Sequence, residues 1–242
     1  LDGAYGTRLH VPARKWTVGE KECEWPALDA VKEVVKELKH DPASRRAVIS
    51  IRFPEDSQGL GGKNSPCTLS LQYLIRQGSL HCIATMRSND VWKGTPYDIF
   101  VFSLLQEYIS NILKLPLGQY FHNAASLHLY REDALKVPLV WDAKGATHFM
   151  TKMPHLTAGD LDRLDRHTRE TLLDHDAFFS LTRTKWGWSS PKAHEYCTTL
   201  LATMRAFLLR HVDAFMAKDA AEYVADRSLK CALKPWIGQE IE

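Results

Sequence analysis

The chain has 242 residues, 45% of them hydrophobic and 25% charged, enough apolar surface for a large domain with a real core, which excludes a disordered chain. Its 31 basic and 29 acidic side chains leave a formal charge of +2, and with the two signs well mixed no basic run offers itself to nucleic acid. Five cysteines without a CxxC pair fit reduced thiols in a cytoplasmic protein better than a disulfide framework or a zinc site.

The chain opens on LDGAYG, without Met and in mid-motif, and an upstream segment is expected to be missing. In ALDAVKEVVKELKHDP the apolar residues Leu28, Val31, Val35 and Leu38 recur at helical spacing until Pro42 stops them, which predicts a helix. AVISIRF, rich in branched residues, predicts a strand over 47–53, and the glycine-rich SQGLGGKNS after it a loop. CTLSLQYLIRQ and LHCIATM alternate in polarity and meet at Gly78-Ser79. They predict an antiparallel hairpin with Leu69, Leu71, Tyr73 and Ile75 on one face and Thr68, Ser70, Gln72 and Leu74 on the other.

The loop MRSNDVWKGTPYD leads into IFVFSLLQEYISNIL, where Tyr97, Val101, Leu104, Leu105, Tyr108 and Ile112 predict a largely buried helix. Gln106 and Glu107 interrupt that run well short of a membrane span. From about Thr157 two amphipathic helical stretches follow with no strand between them, so a domain boundary is placed near residue 150. The predicted fold class is α+β over 1–150, a mixed or antiparallel sheet packed with helices, followed by a helical extension over 151–242.

GLGGKN resembles a phosphate loop only superficially, since Asn64 stands where a magnesium-binding Ser or Thr is needed. The 11 histidines contain no HExxH and no paired spacing with cysteine, so no metal site is expected. His155, His167 and His175 read as a solvated face. Cys67, in NSPCT, follows a proline and a flexible loop and begins a strand. A lone cysteine is ordinarily an inert small hydrophobe. The cations of SRR (Arg45, Arg46) and Arg87 can converge on it, lower its pKa and raise the thiolate fraction that attacks carbon. The same three arginines can form a socket for a phosphate dianion through forked hydrogen bonds.

DPASRR, SPCTLSLQYLIR, MRSNDVWKGTPYDI and SLHLY occur in the order and approximate spacing of the thymidylate synthase superfamily. QYLIR with MRSND and SLHLY most resembles its cytidylate-hydroxymethylase branch. The resemblance covers roughly residues 1 to 135. It implies that Cys67 is the nucleophile adding to C6 of a pyrimidine and that Arg87 and Ser88 bind the phosphate within one subunit. Arg45 and Arg46 resemble the pair given across a twofold interface to the partner's active site, which implies a homodimer. His128 and Tyr130 match the residues that hold the sugar 3′ hydroxyl, Tyr5 a tyrosine implicated in removing the C5 proton, and Asp90 the acid that contacts the pterin. The implied partners are a pyrimidine nucleoside monophosphate and 5,10-methylenetetrahydrofolate as co-substrate, with no metal, nucleic acid or membrane.

Asp98 carries the substrate expectation. Uridylate methylases of this family have Asn at the matching place, because an amide accepts from uracil N3–H and donates to O4. Cytosine presents the opposite pattern, and a carboxyl group can accept from its N4 amine and, sharing a proton, donate to N3. On local grounds alone Asp98 can equally be an N-cap of the following helix. Thr68 replaces the histidine that usually follows the nucleophile, and Met86 the glutamine before RS. The family's first phosphate-binding arginine, catalytic glutamate and pocket tryptophan correspond to positions upstream of DGAYG. The expected reaction is one-carbon transfer to C5 of a cytidine monophosphate ending in hydration, with thymidylate-type methylation and an inactive nucleotide-binding module as alternatives. Arg45 and Ser88 lean toward the deoxynucleotide.

Overall fold

The structure, a computed structural model, describes residues 5–11, 13–25, 27–57, 65–137, 152–171, 178, 187–209, 217 and 220–225. The chain divides into two compact units, Leu1–Ala143 and Lys144–Glu242. The glycine-rich segment 58–64 lies outside the described residues.

The first unit begins with one helical turn, α1 (Tyr5–Arg8), and β1 (His10–Val11). A ribbon of β2 (Arg14–Val18) and β3 (Lys21–Trp25) follows, then β4 (Leu28–Asp29), which pairs antiparallel with β1. The predicted helix is α2 (Ala30–His40), and it starts later than the apolar spacing suggests. Leu28 belongs to β4, because Asp29 is the N-cap and accepts from Lys32 N at 3.1 Å, using one of the amides that a helix start leaves unpaired. Ala30, Val34, Val35 and Leu38 form its buried face.

The main sheet runs in the order β5 (Val48–Ser50), β6 (Thr68–Arg76), β7 (Ser79–Met86), β9 (Leu117–Ala124). Its first two pairings are antiparallel, whereas β7 and β9 are parallel, so the fold is α+β with a mixed sheet. A parallel pair needs a crossover. Here α3 (Thr95–Leu113) provides it, entered through the short β8 (Asn89–Asp90), which pairs in parallel with β10 (Leu127–His128).

The hairpin turns at Gln77–Gly78, one residue earlier than expected; both have positive φ, 51° and 74°, as a two-residue type I′ turn requires. A bulge between Thr68 and Ser70 also shifts the alternation at the start of β6. Thr68 is fully buried with Leu71 and Tyr73, although its parity in the sequence places it with Ser70. The bulge bends the strand immediately after Cys67 and turns Thr68 inward.

The predicted face of α3 is also corrected. Its buried residues are Asp98, Phe102, Gln106, Ile109 and Ser110, whereas Tyr97 and Val101 are exposed. Apolar spacing could not find this stripe because three of its members, Asp98, Gln106 and Ser110, are polar. Gln106 donates to Leu80 O at 2.8 Å, beside the irregularity where the β7–β9 register shifts. A buried carbonyl without a donor costs about 1–3 kcal/mol, so this amide binds α3 to the sheet where the ladder is disturbed. The core collects Leu38, Ile49, Ile51, Leu71, Leu80, Met86, Phe102 and Ile109, each contributing roughly 2 kcal/mol of burial.

The second unit contains, among the described residues, helices and no strand: α4 (Ala158–Thr171) and α5 (Pro191–Leu209), with Phe178, Leu201, Ala202 and Val224 in its core. Asp160 is buried and accepts from the backbone N–H groups of Thr157 and Ser189 at 2.8 Å each. Burial opposes its charge, but hydrogen bonds from Ser189 and Thr157 outweigh that and hold the carboxyl down at about 2. His167 is mostly buried, its pKa lowered by burial, beside the ring of Trp188, so the expected solvated histidine face does not hold for it. No described helix is long and apolar enough to cross a membrane.

Candidate active site

Met86 ends β7, and the next four residues lie where the sheet hands over to α3. Arg87 N donates to Cys67 O at 2.8 Å. The Arg87 guanidinium returns to the same segment, donating to Pro66 O at 3.0 Å and Ser65 O at 2.9 Å. Cys67, half-buried at the edge of the core, is therefore anchored from both directions by one arginine.

Tyr5 reaches this place from α1. Its ring packs 5.3 Å from Phe102 of α3, and its phenol lies among Thr68, Asp98 and Cys67. Burial first, then the charge of Asp98 and of Cys67, pushes the phenol up to about 12 against a hydrogen bond from Thr68. Cys67 and Asp98 thus act on the same hydroxyl. The phenol is fully protonated at neutral pH.

Asp98 lies in the first turn of α3 and is buried. Gly94 is the N-cap, so the simple cap reading of Asp98 is removed. Its Oδ2 accepts from Asn89 Nδ2 at 2.9 Å. Burial raises its pKa, opposed by the hydrogen bonds from Asn89 and Tyr5 and by His122. A carboxyl group with these neighbours can accept hydrogen bonds and also hold a proton more readily than a solvated one.

Behind Asp98 stand three residues the sequence reading did not select: Asn89, Tyr120 and His122. Asn89 Nδ2 also lies 3.2 Å from His122 Nε2, and His122 Nδ1 lies 2.8 Å from the Tyr120 hydroxyl. Asn89 was visible inside MRSND. Tyr120 and His122 share a parity on β9, and that alternation was the one signal available for them.

Asp90 stands beside Asn89 with one carboxylate oxygen accepting from Lys93 N. Its other oxygen, Oδ2, is buried without a hydrogen-bond partner. Gly94 N donates to Asp90 O at 3.1 Å, and the Thr95 hydroxyl oxygen lies 3.0 Å from the same carbonyl. His128 and Tyr130 pack edge to face at 4.9 Å, and Ser88 Oγ lies 3.4 Å from His128 Nδ1. Ser88, just before β8, therefore meets His128 at the end of β10 and Tyr130 just beyond it in one half-open group. Asp133, with a fully buried side chain, holds Lys93 at 2.8 Å and Lys136 at 2.5 Å, which ties this stretch to the β8–α3 turn.

The remaining arginines are not gathered there within one chain. Arg46 pairs with Glu37 at 2.7 Å and Asp41 at 3.5 Å. Arg45 is exposed, and its carbonyl accepts from Gln72 Nε2 at 2.9 Å. Neither shares a hydrogen bond or ion pair with Cys67 among the described residues. Two clefts of this unit are lined by α2 with Ile112 and by α2 with β5; neither includes Cys67 or Asp98. No metal-binding group of three or more His, Cys, Asp or Glu side chains occurs among the described residues.

A family model described as thymidylate synthase matches residues 1–161. The thymidylate synthase of Bacillus phage phi3T is 32% identical over 138 residues, spanning 56% of this chain and 46% of its own length. That of Bacillus licheniformis is 33% identical over 130 residues, spanning 54% and 43%. A solved structure of the thermostable thymidylate synthase A from Bacillus subtilis aligns with TM-score 0.45 and 26% identity over 50% of this chain and 43% of that one. The chain spans about half the length of the curated relatives it matches.

Proposed function

The chain belongs to the thymidylate synthase family, and from that premise we propose that it transfers a one-carbon unit from 5,10-methylenetetrahydrofolate to C5 of cytidine monophosphate, the deoxynucleotide foremost, yielding the 5-hydroxymethyl product. The observation that carries the substrate choice is the buried Asp98 carboxyl beside the Tyr5 phenol that Cys67 also influences. An amide in that place matches uracil, and a carboxyl group able to share a proton matches the N4 amine and N3 of cytosine.

Cys67 thiolate adds to C6; the C–S bond forms and the C5–C6 π pair moves onto C5, which becomes the nucleophile. Asp98 stabilises the ring by taking the amine hydrogen and answering the charge that builds at N3. Tyr5, protonated at neutral pH, serves the C5 proton through its hydrogen bonds to Asp98 and Thr68, not as a standing phenolate. The folate supplies carbon at the oxidation level of formaldehyde. Asp90 Oδ2, a buried acceptor lacking a donor, suits an N–H edge of its pterin. C5 attacks the methylene carbon of the folate, the C5 proton is lost, and cleavage of the remaining carbon–nitrogen bond releases tetrahydrofolate and leaves an exocyclic methylene. Water adding to that carbon, followed by loss of Cys67 from C6, gives the hydroxymethyl group and leaves the folate unoxidised. Ser88 and Arg87 bind phosphate, His128 and Tyr130 the sugar, and a second copy of the chain in a homodimer receives Arg45 and Arg46.

Thymidylate-type methylation is the second reading, favoured by the names of the relatives. Incubating the chain with each nucleotide and the folate, and weighing the product, separates the two. A hydroxymethylated cytidylate without dihydrofolate absorbance supports the first reading; a methylated uridylate with that absorbance replaces it.

A further inference from the structure

We propose that Asn89 and His122 act as a positioning pair that fixes the plane of the Asp98 carboxyl, and so set the cytosine preference without touching the nucleotide. This rests on the base-reading role of Asp98 proposed above.

The orientation of the Asn89 amide is fixed by its partners. It is buried, 2% exposed, so each end must find a protein partner. Its Oδ1 accepts from the Thr95 hydroxyl. The two hydrogens of Nδ2 are left for Asp98 Oδ2 at 2.9 Å and His122 Nε2 at 3.2 Å. A reversed amide would set its oxygen against the Asp98 carboxylate. A ring nitrogen that accepts from Nδ2 must carry a lone pair, so His122 is neutral with its proton on Nδ1, donated to the Tyr120 oxygen 2.8 Å away. Burial, which disfavours the charged imidazole, agrees with this state against the pull of Asp98.

Gly94 allows the arrangement. A Cβ there would lie 3.0 Å from both Asn89 Oδ1 and Asp90 O, closer than ordinary van der Waals contact, so the bare backbone eases the closing of the β8–α3 turn on the amide. With Oδ2 of Asp98 engaged by Asn89 at 2.9 Å, the plane of the carboxyl is fixed at one edge. Removing the donor frees the carboxyl to turn about its last torsion, and its plane then has no fixed direction for the N4 and N3 contacts.

The test is equilibrium binding of deoxycytidylate and deoxyuridylate to the full chain and to four variants: Asp98→Asn, Asn89→Ala, His122→Leu and His122→Gln. The ratio of the two affinities is the readout, because a pocket that is merely loosened weakens both nucleotides together. Asn89→Ala and His122→Leu are expected to lower the cytosine preference about ten-fold, the scale of a lost hydrogen bond to a charged group. His122→Gln, whose side-chain oxygen can accept from Asn89, is expected to keep it. A carboxyl-selective NMR titration adds a second readout: Asn89→Ala should move the Asp98 pKa further up, since a donor to the charged form is gone. An unchanged ratio in Asn89→Ala and His122→Leu, with Asp98→Asn still reversing it, overturns the positioning pair alone. Equal binding of both nucleotides by the unaltered chain overturns the base-reading role and the pair with it.

Discussion

Replacing Asp98 by Asn should turn the preference from cytidylate toward uridylate, and the size of the turn follows from burial. Asp98 is 8% exposed, so a group left unpaired at its edge cannot turn to water. The amide presents N–H where the N4 amine needs an acceptor, and it offers O4 and N3–H of uracil a donor and an acceptor. Taking about 1.4 kcal/mol lost on the cytosine side and the same gained on the uracil side, the specificity ratio moves about a hundred-fold. The assay is release of tritium from 5-tritiated deoxycytidylate and deoxyuridylate in competition, which reads kcat/KM for each. Misfolding is separated by thermal melting. Burial raises the folded-state pKa of Asp98 above its unfolded value, so the ionised carboxyl weighs against folding above that raised pKa, and the penalty fades as pH falls through it toward the unfolded pKa. The amide has no such penalty and should melt no lower than the parent at neutral pH. An unchanged ratio between the two nucleotides in a variant that melts normally would refute the reasoning.

Cys67→Ser is expected to abolish tritium release while leaving nucleotide binding measurable, because the hydroxyl is a far weaker nucleophile at C6; retained release places the nucleophile elsewhere. Arg8 joins α1 to the Pro54–Ser57 turn with a fork to Asp56 at 2.7 and 2.8 Å and a bond to Ile51 O at 3.1 Å. Asp56→Asn should cost about 2 kcal/mol in urea unfolding at neutral pH. Arg8 holds the Asp56 pKa down, so this contribution is present above the unfolded pKa and lost as pH falls through the lowered one; a loss that persists unchanged in acid would contradict it. Gln77 occupies the left-handed region at φ 51° in the hairpin turn, so Gln77→Gly should raise the urea midpoint, by about 0.5 kcal/mol in stability.

The elements of the first unit were legible wherever apolar periodicity and turn chemistry agreed, as in α2 and the β6–β7 hairpin. They were misread by one residue wherever a polar group decided the geometry. Asp29 takes the α2 cap and moves Leu28 into a strand. The bulge at the start of β6 turns Thr68 inward, and no residue type in CTLS announces it. In α3 the buried stripe passes through Asp98 and Gln106, whereas Tyr97 and Val101 are exposed, so hydrophobicity selects the neighbouring face. At the site, Cys67, Arg87, Asp90 and Asp98 could be named because family motifs carry them in contiguous segments. Asn89, Tyr120 and His122 escaped because their partnership joins β8, α3 and β9, and a hydrogen-bond network that crosses elements leaves no spacing to read.

The energetics of Asp98 argue for a reading role over a structural one. It lies in the first turn of a 19-residue helix, where the macrodipole favours a negative charge by about 0.3–1 kcal/mol. Asn89 and Tyr5 also donate to it, and each bond favours the anion. Its pKa is raised all the same, so desolvation outweighs both donors. An acid serving only to stabilise the helix start would do better exposed, keeping the dipole energy without the burial cost. Uracil recognition gives no reason for that cost either, since a neutral amide performs it at any pH. Cytosine does, because the carboxyl must accept at the amine and approach its protonated form at N3, and a buried acid with one oxygen held by an amide is poised between those two states.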